Sequence, residues 1–205
     1  MEIKATGLGK KFNYHWIFKN LDFEFKINNA YAITGPNGSG KSTLLQIISG
    51  YITPTTGGLT HTLQGNNLDP NHIYRHLVLV APYLKLVEEF TLMEQLNFHF
   101  QFKTIKTGWN ISDIIEIMEL KDSIHKQIKY FSSGMKQRLK LGLGFYSQCE
   151  LLLLDEPTSN LDEPGIQWYL DYVKKSLSDR LVIISSNRKQ EYSCCQQEIS
   201  LKNYK

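Results

Sequence analysis

Apolar and polar positions change period several times along this 205-residue chain, and each change marks an element. From Ile17 to Phe25 the two kinds alternate ("IFKNLDFEF"), which is the period of a half-buried antiparallel strand. "AYAIT" is a short unbroken apolar run that leads straight into glycines. "KSTLLQIISG" then takes helical spacing, with Leu44, Leu45, Ile47 and Ile48 facing inward and Gly50 closing the helix. A turn cluster, "TPTTGG", precedes a short strand from Leu59 to Leu63, and "HLVLVAP" predicts a buried strand stopped by Pro82. The pattern is helical from Thr91 to about Met118, and a further helix opens at a Ser-Ser-Gly turn and runs to about Tyr146. "ELLLLD" is a fully apolar strand, followed by a helix over Glu163 to Leu177, the strand "RLVIISS" and a short tail. Strands alternating with helices predict an α/β fold with a mainly parallel core sheet. An antiparallel β part stands N-terminal to it, and the stretch at about 83–135 reads as a helical lobe inserted into it. Residues 1–205 are expected to form one domain.

Composition narrows the partners. A net charge of +3 is too mild to argue for nucleic acid, and no nucleic-acid partner is expected. Cys149, Cys194 and Cys195 are an odd number without a secretory signal, which places the chain in a reducing cytosol. The Cys194-Cys195 pair has no metal-ligand spacing and reads as buried structural thiols. No stretch approaches the roughly 20 apolar residues that span a bilayer, so any membrane part must come from another chain.

"GPNGSGKST" carries the first clear chemistry. Gly35, Pro36, Asn37, Gly38, Ser39, Gly40, Lys41, Ser42 and Thr43 fit the phosphate-loop pattern G-x-x-x-x-G-K-[ST], between a strand and a helix as that pattern requires. The glycines let backbone N–H groups wrap phosphates, Lys41 reaches the terminal phosphates, and the Ser42 hydroxyl takes Mg²⁺. "LLLLDEP" delivers Asp155 to the C-terminal end of a buried strand, where it can hold Mg²⁺, mainly through water. Glu156 follows and can act as general base on an attacking water. A second anion site is foreshadowed in "YFSSGMKQRLKLG", because free N–H groups at a helix start favour negative charge. The face formed by Lys136, Arg138 and Lys140 on that helix is expected to be solvated.

These segments and their order resemble the nucleotide-binding domain of the ATP-binding cassette family, over essentially the whole chain. The resemblance implies a P-loop NTPase fold that binds ATP and Mg²⁺. It also implies two such domains pairing head to tail around two ATP molecules. The second anion site is then for the partner's γ-phosphate, through Ser132 and Gly134. The family signature Leu-Ser-Gly-Gly-Gln is here Phe131-Ser132-Ser133-Gly134-Met135. Asn160-Leu161-Asp162 would cross the dimer interface, with Asp162 facing the partner's ATP. Phe12 holds the place of the adenine-stacking aromatic, with Tyr14 and Trp16 close enough to compete. The implied function is an ATP-hydrolysing subunit that powers a separate membrane permease. It would work as a homodimer or heterodimer, cytoplasmic and held at the inner face of the membrane by that permease. The helical lobe and the loop from Pro82 to Phe90 would carry the permease contact, in a compact, exporter-like cassette.

Two positions depart from the family pattern. Pro82 stands where the family has a glutamine that contacts Mg²⁺ and water, and proline offers neither a side-chain acceptor nor an N–H. Glu88 and Glu89 on the same loop could bind metal or a partner's basic residue, or simply be solvated. Asn187 stands in place of the switch histidine. Its amide can donate to a γ-phosphate but cannot shuttle a proton near neutral pH. The alternative is that Asn187 merely caps a helix beginning near Arg188. His15, His61, His72, His76, His99 and His125 read as surface or packing residues. With both family residues replaced, a slow, regulatory ATP-binding module is the alternative function, against which Glu156 argues.

Overall fold

The computed structural model describes residues 1–205 as two sheets flanked by helices. The first sheet is antiparallel, with β1 (Glu2–Phe12) between β2 (His15–Lys26) and β4 (Thr56–Leu63), and β5 (Asn66–Asn67) at its edge. The strands expected over Ile17–Phe25 and Leu59–Leu63 are both present and longer. β1 has no counterpart in the sequence reading. Its register on β2 slips between Ala5 and Leu8 and again between Leu8 and Lys10, so the two-residue alternation that betrays a strand is broken there.

The second sheet runs β6 (Leu77–Val80), β7 (Leu151–Asp155), β8 (Leu181–Ser185), β3 (Ala30–Thr34), β9 (Gln197–Ser200), all parallel. β9 falls in what reads as a tail. Its four residues "QEIS" bury only Ile199, too little for a pattern. It is fixed in part by Gln196, whose Oε1 accepts the Ala30 N–H at 2.7 Å.

Both faces of this sheet are covered, which explains its unbroken apolar runs. Tyr31, Ile33, Leu151, Leu153, Leu181 and Ile183 pack with α1 (Lys41–Ile48) and with Ile3, Phe18 and Phe25 of the antiparallel sheet. Leu44, Leu45, Ile47 and Ile48 all face this core, and the chain leaves α1 through Gly50. On the opposite face, Leu152, Leu154, Val182 and Ile184 share one cluster with α2 (Leu92–Phe102), α3 (Ile111–Ile117), α4 (Ser133–Tyr146) and α5 (Glu163–Lys175). The helices between β6 and β7 therefore have no core of their own. The helical run from Thr91 is two helices, each started by a capping box, Thr91 with Glu94 and Asn110 with Asp113.

α4 ends on a buried cation. Arg180 is 1 % exposed and donates to the Gly144, Ser147 and Phe145 carbonyls. These are the carbonyls a helix end leaves unpaired, and the guanidinium also opposes the negative pole there. Strand register fixes the place of the chemistry. Asp155 pairs with Ser185 and Ile33 pairs with Ser185, so β3, β7 and β8 end at one edge.

Candidate functional site

The loop from Gly35 to Gly40 leaves β3 at that edge and enters α1. Gly40 takes φ +103, and a Cβ there would lie 2.3 Å from the Ile17 side chain, so only glycine fits. Gly40 also occupies the N-cap of α1 without any side-chain cap, which leaves the first helical N–H groups free for an anion. Lys41 is 5 % exposed and folds across its own loop. Its Nζ donates to the Gly35 carbonyl at 2.9 Å and the Pro36 carbonyl at 3.3 Å.

Asp155 ends β7 beside this loop. Burial pushes its pKa up, against the lowering effects of the Ser42 and Ser185 hydroxyls and, further down in size, of Lys41. Its Oδ1 is buried without a hydrogen-bond partner, as are Ser185 Oγ and Ser39 Oγ. A buried carboxylate oxygen left open beside a serine hydroxyl is a donor set that a hard, oxygen-loving cation completes, and the residues present fit Mg²⁺.

Glu156 comes next and is exposed, with φ +43 in the left-handed region that disfavours a residue with a side chain. It lines a wholly polar cavity of 230 Å³ with Asn37, Ser159, Ser186, Asn187, Arg188 and Glu191. Asn187 Nδ2 donates to Asn37 Oδ1 at 2.7 Å, joining the β8 end to the phosphate loop. No helix begins near Arg188, which overturns the capping alternative for Asn187. The Arg188 N–H is taken by Ser186 Oγ at 2.8 Å, and the chain continues as turns to β9.

The structure thus brings the phosphate loop, Asp155, Glu156 and Asn187 together. Phe12 lies elsewhere, at the end of β1, half exposed, with Lys10 Nζ 5.0 Å from its ring centre. Tyr14 and Trp16 share its hairpin, and none of the three lines the cavity. Ser132 and Asp162 serve as N-caps. Ser132 Oγ accepts from Met135 N at 3.2 Å and Asp162 Oδ1 from Gly165 N at 3.0 Å. Gly134 faces the Asn160 carbonyl so closely that a Cβ would stand 3.1 Å from it. Within one chain these three residues also stay outside the cavity.

The basic face of α4 is not merely solvated. Lys136 pairs with Glu88 at 2.6 Å, Arg138 pairs with Glu119, and Lys140 donates to the Ala81 and Pro82 carbonyls. The Ala81 and Pro82 carbonyls lie just past the end of β6 and need donors, and a long cationic side chain supplies one. Glu88 is spent on Lys136. The histidines do serve packing or surface: His61, buried, meets the Ile48 carbonyl, and His99 meets Ser147, with burial lowering its pKa to about 4. All three cysteines are free, but only Cys149 is buried. Cys194 and Cys195 are half-buried, because their turn runs over the surface.

Two polar residues at the site escape the sequence reading. Gln137, buried on α4, donates to the Pro157 carbonyl at 2.7 Å. Its signal is a polar side chain one turn before Leu141, on the inward stripe. Glu191 gives no signal within the polar run "RKQEYS". Beyond the polar cavity, an apolar groove of 650 Å³ lies between the end of α1 and the Pro82 loop, with Tyr51, Ile73, Tyr74, Tyr83 and Leu84 among its walls. No helix is long and apolar enough to cross a membrane.

Known proteins resemble this chain in sequence and in fold. The ABC transporter family model matches residues 18–159. The uncharacterized ABC transporter ATP-binding protein YybJ of Bacillus subtilis is 30% identical over 94% of this chain and 89% of its own length. The lantibiotic transport ATP-binding protein SrtF of Streptococcus pyogenes is 28% identical, over 90% of this chain and 79% of its own. A putative ABC transporter ATP-binding protein from Pyrococcus furiosus superposes with a TM-score of 0.83 at 21% identity, over 100% of this chain and 99% of that one. A bacterial ABC transporter cassette solved as a dimer gives 0.82 at 21% identity, over 97% and 93%. At that identity the two structures speak for the fold.

Proposed function

This chain belongs to the ABC transporter family, whose ATP-binding domains are ATPases, and from that premise we propose that it drives a separate membrane permease by ATP-dependent, head-to-tail dimerisation. The observation that carries the reading is the open Asp155 oxygen beside Lys41, Ser42 and the Glu156 cavity, a charge site that a metal–nucleotide complex would complete.

In this reading the α1 N–H groups and the residues from Gly35 to Thr43 hold the phosphates. Lys41 exchanges the Gly35 and Pro36 carbonyls for phosphate oxygens. Ser42 and Asp155 hold Mg²⁺, which offsets phosphate charge when bound. Glu156 takes the proton of the attacking water. Asn187 leaves Asn37 and donates to the γ-phosphate. Phe12 stacks on adenine, and Ser132, Gly134 and Asp162 reach the partner's ATP from across the dimer. The partner is a second copy or a related cassette. The permease seats a segment in the groove walled by Tyr51, Tyr74 and Tyr83, which keeps the chain cytoplasmic at the inner membrane face.

The alternative of a slow regulatory module draws on Pro82, which leaves the site without the usual side-chain acceptor. Phosphate release by purified protein separates the two. Mg²⁺-dependent turnover, abolished by a chelator, together with a dimer in sedimentation when a non-hydrolysable ATP analogue is present, is the expected result. A monomer under those conditions sinks the dimer reading. Replacement of Tyr51, Tyr74 and Tyr83 by serine should release the chain from native membrane fractions without lowering basal ATPase.

A further inference from the structure

Glu156 sits in a left-handed conformation that is strained for a residue with a side chain and persists only where its surroundings over-determine it. Three successive residues are tied to three different elements. The Glu156 N–H donates to the Ser185 carbonyl of β8 at 2.9 Å. The Pro157 carbonyl accepts from Gln137 of α4. The Thr158 hydroxyl donates to Glu191 Oε1, beyond β8. Glu191 is itself pinned, its carbonyl accepting from the Tyr169 hydroxyl of α5 at 2.9 Å and its N–H donating to the Arg188 carbonyl at 2.9 Å.

A carboxylate 2 % exposed is expensive to bury, and the other Glu191 oxygen, Oε2, has no partner at all. Packing alone does not account for such a group, since an apolar side chain would fill the space at lower cost. Glu191 also lines the same polar cavity as Glu156 and follows Asn187 by one turn of chain. It therefore connects the two segments that bring Glu156 and Asn187 to one place.

We propose that Glu191 is a positioning residue for ATP hydrolysis, acting through Thr158 to latch the turn that holds Glu156 strained at the cavity. The proposal rests on the reading of Glu156 as general base. It makes Thr158 with Glu191 the one side-chain-to-side-chain bond among the three that hold the turn at 156–158.

Two pairs of variants of the full chain test the latch. Thr158→Val removes the donor at nearly constant volume, and Thr158→Ser keeps it. Glu191→Ala removes the acceptor, and Glu191→Gln keeps one. With turnover normalised to folded protein, Thr158→Val and Glu191→Ala should each lose about tenfold or more in kcat, with KM for ATP within about twofold. Thr158→Ser and Glu191→Gln should stay within about threefold of the parent. The double variant Thr158→Val/Glu191→Ala should be no slower than the worse single, because both break one bond. A purely structural contact would lower the melting temperature and leave kcat per folded molecule untouched, which would overturn the proposal. So would equal losses in the conservative and disruptive members of each pair. Thr158→Val carries the test by itself should Glu191→Ala fail to fold. Glu156→Gln runs alongside. If it is silent while Thr158→Val is fully active, the latch is wrong. If Glu156→Gln itself turns over, the base assignment is wrong and the latch falls with it.

Discussion

The phosphate loop and the polar cavity touch, through Asn37 and Asn187, yet they are built in opposite ways. The loop is made from consecutive residues, and its cation is buried against its own backbone, Lys41 on the Gly35 and Pro36 carbonyls. The cavity is made from segments as distant in the chain as Asn37 and Glu191, and its outer carboxylate, Glu156, is exposed and strained. A site formed locally needs little tertiary support. A site assembled from distant segments is only as good as the bonds that hold them, which here are Gln137 to Pro157, Thr158 to Glu191 and Asn187 to Asn37. On this division, damage to the loop should appear in affinity and damage to the cavity in turnover.

The largest effect expected is at Glu156. Glu156→Gln keeps shape and an acceptor oxygen but loses the base, at a cost of roughly 10²–10⁴ in rate. ATP affinity should stay within about threefold, and an ATP-dependent dimer should accumulate in size-exclusion chromatography. A large loss of affinity would break the division outright. Next comes Asn187→Ala, expected to cut turnover by roughly 10²-fold through loss of a γ-phosphate donor. Asn187 also holds Asn37, so its variant sharpens the comparison. If nucleotide titration shows affinity falling in step with turnover, the loop depends on the cavity after all. Asn187→His should restore turnover and add a titration near the ordinary histidine pKa of about 6.5.

The same division governs what could be read from sequence. The loop, Asp155 and Glu156 are legible because contiguous motifs encode them, and the apolar runs of β3, β7 and β8 mark where they sit. Glu191 is not legible, since a lone glutamate in a polar run looks like any solvated residue until the fold buries it against Thr158. β1 is hidden by its register slips, and β9 by burying a single side chain. The basic run of α4 misleads for a related reason: residues two apart on a helix turn to opposite sides, so Lys136 and Lys140 meet Glu88 and the Pro82 carbonyl while Arg138 meets Glu119, and the sequence shows none of these partners. Asn187 lies between these cases. Its position suggested two roles, and only the absence of a following helix removes one.

A smaller effect is expected on the loop side. Lys41→Ala removes a charge-assisted contact to phosphate, worth ~1.5–3 kcal/mol, or roughly 10–150-fold in affinity. Titration with a fluorescent ATP analogue checks it. Affinity within about threefold of the parent would mean that the loop amides alone bind phosphate and that the folded-back lysine is a structural clasp.

The smallest effect lies at Asp155, where binding and stability pull against each other. Burial raises its pKa above the ordinary 3.8, so the folded chain holds this proton more tightly than the unfolded chain does. The stabilising contribution is then complete below about pH 4 and is lost as pH rises through the folded-state value. At neutral pH the ionised group, with Oδ1 unpartnered, weighs against the nucleotide-free fold. Asp155→Asn removes that charge at the same size. It should stabilise the empty protein by about 0.5–2 kcal/mol at pH 7, seen as a rise of roughly 2–4 °C per kcal/mol in melting temperature. The gain should shrink as pH falls through the raised folded-state value, below which the parent carboxyl is protonated too. Mg²⁺ with ATP should then stabilise the parent far more than the variant, because only the parent keeps the carboxylate that the cation needs. An Asp155→Asn protein less stable than the parent at every pH would mean that the carboxylate is satisfied in the empty fold. The open oxygen would then no longer mark a place kept for the metal, and the binding side would be as self-sufficient at Asp155 as it is at Lys41.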